Sequence, residues 1–216
     1  MVQLAVEFLG VFFVVPTAFA FGLRRWRRPA LLLPGLWIAA GLAYGLLVAQ
    51  PLYGSLWALP LSPKLWGPVA LRFSIAALAS VIAARTWVPA EDYLRLPRRA
   101  PGFWLVLLLA YPLLSAIPQG LVWRVLLVTR YSALFAYPWQ LLAVGGVAFA
   151  AAHLVFRNPI TLLATGLGGV LFLHTYLTTG SALLASLEHG AYGALAFTVG
   201  FGKYFYLRAN MEPTQA

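Results

Sequence analysis

The residues of this chain able to handle protons or polarise a carbonyl group are few, and they lie in three short stretches. Gln119 and Arg124 belong to the run Gln119-Gly120-Leu121-Val122-Trp123-Arg124, His153 follows Phe149 by one helical turn, and His189 precedes Gly193 by one turn. Imidazole exchanges a proton near neutral pH, guanidinium can stabilise developing negative charge, and a side-chain amide both donates and accepts hydrogen bonds. All four residues sit in apolar surroundings, where polar groups are tolerated mainly when they face a protein interior or a wet cavity. We therefore take Gln119, Arg124, His153 and His189 as walls of one internal site. Taken singly, each has a plainer reading: a histidine can be an interhelical contact, and Arg124 can snorkel to an interface. His174, nearer the end of its apolar stretch, reads as interfacial or structural.

The elements that must position these groups follow from composition. With 62% hydrophobic and 9% charged residues, the chain lies far from soluble proteins, in which about 25% of residues are charged. It reads as an integral membrane protein, an all-α polytopic bundle forming a single domain over residues 1–216. About seven spans are predicted, at 4–22, 30–49, 66–84, 103–117, 138–156, 160–177 and 181–201, several of them reaching the roughly 20 residues that cross a bilayer core. The first lacks a basic leader and a small-residue cleavage site and so reads as a retained helix. The chain has no cysteine, which excludes disulfides, thiolate zinc sites and a cysteine nucleophile.

The net charge of +10 does not point to nucleic acid, because the basic residues flank apolar spans, where anionic headgroups and the positive-inside bias account for them. Arg24, Arg25, Arg27, Arg28, Arg85, Arg95, Arg98, Arg99, Arg157, Lys203 and Arg208 fall on one side and only Lys64 and Arg130 on the other. That predicts an external N-terminus and a cytoplasmic C-terminus, in a bacterial inner membrane with membrane lipids as the immediate partners and no nucleic acid.

Local patterns add detail. The proline-rich stretch Pro51 to Pro68, with Trp57 and Trp66, reads as an irregular loop with interfacial anchors, and Trp87 to Pro101 as a headgroup-contacting linker. Gly166, Gly168 and Gly169 would let one helix pack closely. Pro118 fits the first turn of a helix running toward Arg130, with Gly120 and Arg124 on one face. An unbroken crossing from 103 would put Gln119 about 24 Å along its axis, toward the outside, while His153 lies toward the inside. One of the two helices is therefore expected to be displaced or broken.

At these residues the sequence resembles the CPBP family, the CAAX prenyl proteases and bacteriocin-processing relatives also called the ABI family of intramembrane proteases. That family carries Glu-Glu-x-x-x-Arg, Phe-x-x-x-His and His-x-x-x-Asn, or a similar small polar residue in place of the Asn, in this order on separate helices. Here Gln119-Gly120-Leu121-Val122-Trp123-Arg124, Phe149 to His153 and His189 to Gly193 take their places, within a resembling region from Tyr111 to Phe205. The resemblance implies a CAAX-protease-like fold with a core over 111–205, and hydrolysis of prenylated or other membrane-associated peptides by direct attack of water. In the family the glutamates activate that water, while the histidines orient it, bind metal or stabilise the oxyanion. Gln119 cannot accept a proton from water, Gly120 has no side chain, and Gly193 replaces an oxyanion donor. Impaired activity is the expectation, with a non-catalytic relative that binds a lipidated peptide or membrane protein as the alternative, and a small transporter or lipid-handling protein as a further one.

Glu188 is the only acidic residue deep in the motif-bearing half. It is a candidate replacement base, and electrostatics suggests a second role: Arg124 and Glu188 are expected to pair across two helices. The catalytic candidates are thus Gln119, Arg124, His153, Glu188 and His189. No cofactor is expected; a zinc ion on His153 and His189 would lack the third ligand of a usual catalytic site.

Overall fold

The computed structural model describes residues 1–60 and 62–205, so that Arg208 and Glu212 lie outside the described residues. Every regular element is helical: α1 Val2–Arg25, α2 Pro29–Leu47, α3 Pro63–Trp87, the short α4 Arg95–Arg99, α5 Pro101–Leu134, α6 Pro138–Phe156, α7 Pro159–Thr179 and α8 Ala182–Val199. Six of these are long and apolar enough to cross a membrane, and the protein is an integral membrane protein. The seventh expected span is α8, 18 residues long; it falls short on apolarity, in part through Glu188 and His189.

The fourth span differs most from expectation. Residues 103–117 and the helix expected from Pro118 are one continuous helix, α5, of 34 residues, about 50 Å at 1.5 Å per residue. No break is needed to reconcile depths, because Gln119 lies near the middle of an overlong helix. Two π-helical segments, Pro112–Ala116 and Leu121–Leu126, flank the turn that holds it. Pro118 therefore lies inside a helix, where it cannot donate to the carbonyl of Leu114. The indole Nε1 of Trp37 donates to that carbonyl instead, at 3.0 Å, so the acceptor freed in an apolar span finds a partner.

Close approach is arranged by small residues. On α6 and α7, a Cβ at Gly146 would come 2.8 Å from the Gly166 carbonyl oxygen, and one at Gly169 would come 2.8 Å from Phe149 Cβ, so the expected small-residue face does pack tightly. α5 and α8 run antiparallel. Trp104 bonds Thr198, while Tyr111 meets Gly193, Pro112 meets Gly190 and Gly120 meets Ser186. As one number rises the other falls, which is the register that sets the site. Asn158 caps α7 by accepting from the amides of Ile160 and Thr161, and Ser181 caps α8 by accepting from Leu184.

The proline-rich loop is tied down across the turn between α7 and α8. Ser55 N donates to Gly180 O at 2.7 Å, Ala182 N to Ser55 O at 3.0 Å, and Ser181 Oγ to Ala58 O at 2.7 Å. Gly54 and Gly180 both have positive φ (72° and 66°), and a Cβ at Gly54 would overlap the Gly180 carbonyl, so the crossing needs glycine there. Trp66 and Pro68 are not part of this loop; both lie in α3. The Trp87–Pro101 linker docks on the end of α8, with Val88 packed beside Val199 and Asp92 facing Arg95 at 3.3 Å and Lys203 at 3.7 Å.

Candidate functional site

The aromatic ring of Phe149 on α6 is the hub. The ring of His153 lies 4.7 Å from its centroid, His189 of α8 5.5 Å, and Trp123 of α5 6.0 Å. The guanidinium carbon of Arg124 stands 4.8 Å over the same ring and 5.1 Å over that of Phe172. The two imidazoles are thus no farther apart than the first two distances laid end to end, and the motifs of three helices converge.

Each candidate has a defined setting. His153 stands where the α-helical part of α6 gives way to its last, 3-10 turn, and its Nδ1 lies 2.7 Å from the Phe149 carbonyl oxygen; a carbonyl only accepts, so Nδ1 bears the hydrogen and Nε2 is left as the acceptor when the ring is neutral. His189 is buried and stacked on Phe172 at 4.9 Å, with Nε2 3.4 Å from the Tyr111 hydroxyl and Nδ1 without a hydrogen-bond partner. Gln119 donates from Nε2 to Ser115 Oγ at 2.8 Å, while its Oε1 accepts nothing. Arg124 is 1% exposed, and none of its three nitrogens has a hydrogen-bond partner.

The expected pairing of Arg124 with Glu188 is not what forms. Glu188 Oε1 accepts from Arg72 Nη2 at 3.0 Å and Oε2 from the Thr175 hydroxyl at 2.5 Å. Arg72 also donates to Thr175 Oγ1 at 2.6 Å and to His174 Nδ1 at 3.2 Å. His174 is accordingly a ligand of this second polar cluster. The reason is register: Glu188 adjoins His189 and so projects about 100° away from it, toward α3 and α7.

The family's missing side chains have left no gaps. A Cβ at Gly120 would overlap Ser186 Oγ, and a Cβ at Gly193 would overlap the Tyr111 ring, whose hydroxyl would be 2.7 Å away. Tyr111, Ser115, Trp123 and Ser186 thus belong to the site, although none was singled out from sequence. Trp123 stood inside the first motif; the others need the α5–α8 register to be recognised.

Gln119, Trp123, His153, His189 and Tyr192 are among the residues that line a cavity of ≈ 2060 Å³, larger than the roughly 300–1,000 Å³ of common ligand pockets. The rest of its lining is overwhelmingly apolar. Its lining includes Ile38, Leu42, Leu163 and Leu167, each at least 60% exposed, so part of it reaches the apolar outer surface of the bundle. No carboxylate lines it among the described residues, and no group of three or more His, Asp or Glu side chains that could hold a metal occurs among them. His153 and His189 would supply two of the three protein ligands of a usual catalytic zinc site.

No curated protein and no solved structure matches the chain. Residues 101–195, which hold all three motifs, match the family described as type II CAAX prenyl endopeptidase Rce1-like. With the three motif helices gathered around Phe149, this segment is similar to the CAAX-type intramembrane endopeptidases of the CPBP family.

Proposed function

We propose that this protein receives the lipid-bearing end of a prenylated or otherwise membrane-anchored peptide in its apolar cavity and hydrolyses it poorly or not at all. The observation that carries this reading is the missing base. The cavity has histidine acceptors but no carboxylate among the described residues, Gly120 is packed against Ser186, and Glu188, the acid nearest in sequence, is held by Arg72 and Thr175. General-base assistance is commonly worth 10²- to 10⁴-fold; its loss leaves a cavity suited to binding. Lipids and a lipidated peptide or membrane protein are the partners that such a cavity suits, with no metal required.

The test is a farnesylated CAAX-type reporter peptide delivered in vesicles containing the purified protein. We expect photocrosslinking of a diazirine-bearing farnesyl group to the cavity wall and no release of the C-terminal tripeptide. Turnover that disappears in His153→Ala would overturn the reading. For orientation, the proposal is an external N-terminus in the bacterial inner membrane. Because the chain has no cysteine, single cysteines at Ala30 and Ser62 should be labelled from opposite sides by an impermeant reagent; labelling from one side refutes it.

A further inference from the structure

The unpaired polar atoms around Phe149 are one-sided. Arg124 Nε, Nη1 and Nη2 and Trp123 Nε1, all buried and without a hydrogen-bond partner, can only donate. His189 Nδ1 joins them when the Tyr111 hydroxyl donates to Nε2, and the Tyr192 hydroxyl is also buried and unbonded. Against these donors stand fewer acceptors: the buried, unbonded Gln119 Oε1 and, at the cavity wall, His153 Nε2, while the Tyr192 hydroxyl can act either way. Trp123, His189 and Gln119 are each at least 91% buried and line the cavity.

Charge is one-sided as well. Among the described residues, two charged side chains are buried, Glu188 and Arg124. Glu188 has Arg72 in direct contact, whereas Arg124 lies over the rings of Phe149 and Phe172 and feels the Glu188 carboxylate only at longer range, without an ion pair. The other described acids are engaged or remote: Glu7 holds Arg130, Asp92 holds Arg95 and Lys203, and Glu91 is exposed in the linker. A buried cation without a directly paired counter-charge is costly, and an anion brought near it from an apolar cavity is attracted far more strongly than in water.

We propose that the cavity binds a single-chain amphiphile by its carboxylate, which accepts hydrogen bonds from Trp123 and His189 in the cavity wall, with the Arg124 charge behind the Phe149 and Phe172 rings as its counter-charge, while the tail fills the apolar part. A carboxylate fits better than a phosphate because Arg124 supplies one positive charge and a doubly charged head would leave a surplus. This rests on the reading of the cavity as a chain-binding site and adds the chemistry of the head. The carboxylate can belong to a free fatty acid or to the C-terminus of a prenylated cysteine.

The test uses the full-length protein in detergent, titrated at alkaline pH with cis-parinaric acid and with its methyl ester, which share one fluorescent tail. The acid should bind at least about tenfold tighter, the scale of one hydrogen bond to a charged group. Arg124→Met should abolish the preference, and Trp123→Phe should reduce it several-fold. Palmitic acid and S-farnesylcysteine, each competed against its own methyl ester, distinguish the two sources; displacement by either acid and not by its ester supports the proposal. Equal affinity for acid and ester overturns the carboxylate site alone, whereas binding of neither probe overturns the chain-binding reading as well. Should Arg124→Met fail to fold, Trp123→Phe decides, and a preference that it leaves unchanged overturns the proposal.

Discussion

Arg72 and Arg124 are the same side chain in two different settings. Arg72 reaches Glu188, Thr175 and His174 from α3, and its side chain keeps 26% exposure. Arg124, with 1% exposure, has two aromatic faces and no hydrogen bond. A buried charge with partners is part of the scaffold: it fixes helix rotation, here setting α3 and α7 against α8. One without partners is an unmet demand, met by a ligand or tolerated at a cost. The difference separates structure from site within a single bundle, even though both residues interrupt apolar helices in the same way.

The largest effect should come from breaking the satisfied cluster. Glu188→Gln and Arg72→Met should each lower stability by about 3 kcal/mol, the low end for breaking a buried pair because Arg72 is partly exposed, and the double variant should recover much of the loss. Arg124→Met should behave differently, changing stability by no more than about 1 kcal/mol. It removes an uncompensated charge and two cation–π contacts, which oppose each other in sign. Combined with Glu188→Gln it should add and not compensate. Melting of the six proteins in one detergent, wild type included, reads all of this; compensation between positions 124 and 188 would erase the distinction between the two arginines.

The next effect comes from giving Arg124 what Arg72 has. Gly120 and Arg124 share a face at i, i+4, so Gly120→Glu places a carboxylate within reach. Ser186→Ala removes the hydroxyl that a side chain there would overlap, its Cβ then 3.5 Å from the new Cβ. The double variant should be more stable than Ser186→Ala by about 1.5 to 3 kcal/mol, the worth of a hydrogen bond to a charged group, and should lose its preference for cis-parinaric acid over the ester. A preference kept at full strength would show that Arg124 does not supply the anion site.

How far the sequence reveals these two settings depends on what each requires. Gln119, His153 and His189 are visible because polar groups in apolar helices are expensive, and such residues on three helices tend to converge. The Arg124–Glu188 pairing fails because opposite charge in the same half of a chain does not fix which way each helix is turned. Arg72 was the missing information. It is a lone arginine inside the span predicted at 66–84, and it belongs to neither flank counted for orientation, which is the signal that would have found it. Ser186 and Tyr111 are legible only once α5 and α8 are aligned, since a hydroxyl opposite a glycine has no signature along one helix. The single long α5 was hidden because Pro118 ordinarily marks a helix start; the indole of Trp37, distant in sequence, is what makes it tolerable inside one.

The smallest effects lie at the ends of the bundle, where ion pairs exist but water or headgroups compete for them. Glu7 accepts from Arg130 Nε at 2.6 Å and Nη2 at 2.8 Å, and from the Tyr131 hydroxyl at 2.8 Å, with about 30% of each charged side chain exposed. Forked geometry with a third donor should put Glu7→Gln at about 1 kcal/mol, above a plain surface pair and well below Glu188→Gln. Asp92 has two partners, but its Arg95 is 60% exposed and its Lys203 is 3.7 Å away. Asp92→Asn should therefore shift stability by no more than about 0.5 kcal/mol, and high salt should remove even that, since exposed pairs are worth little and are screened. Salt should leave the Glu188→Gln loss nearly intact. If Asp92→Asn and Glu188→Gln proved equally costly and equally salt-sensitive, enclosure would not be what separates these pairs, and the lack of a partner at Arg124 would lose its meaning as the mark of a binding site.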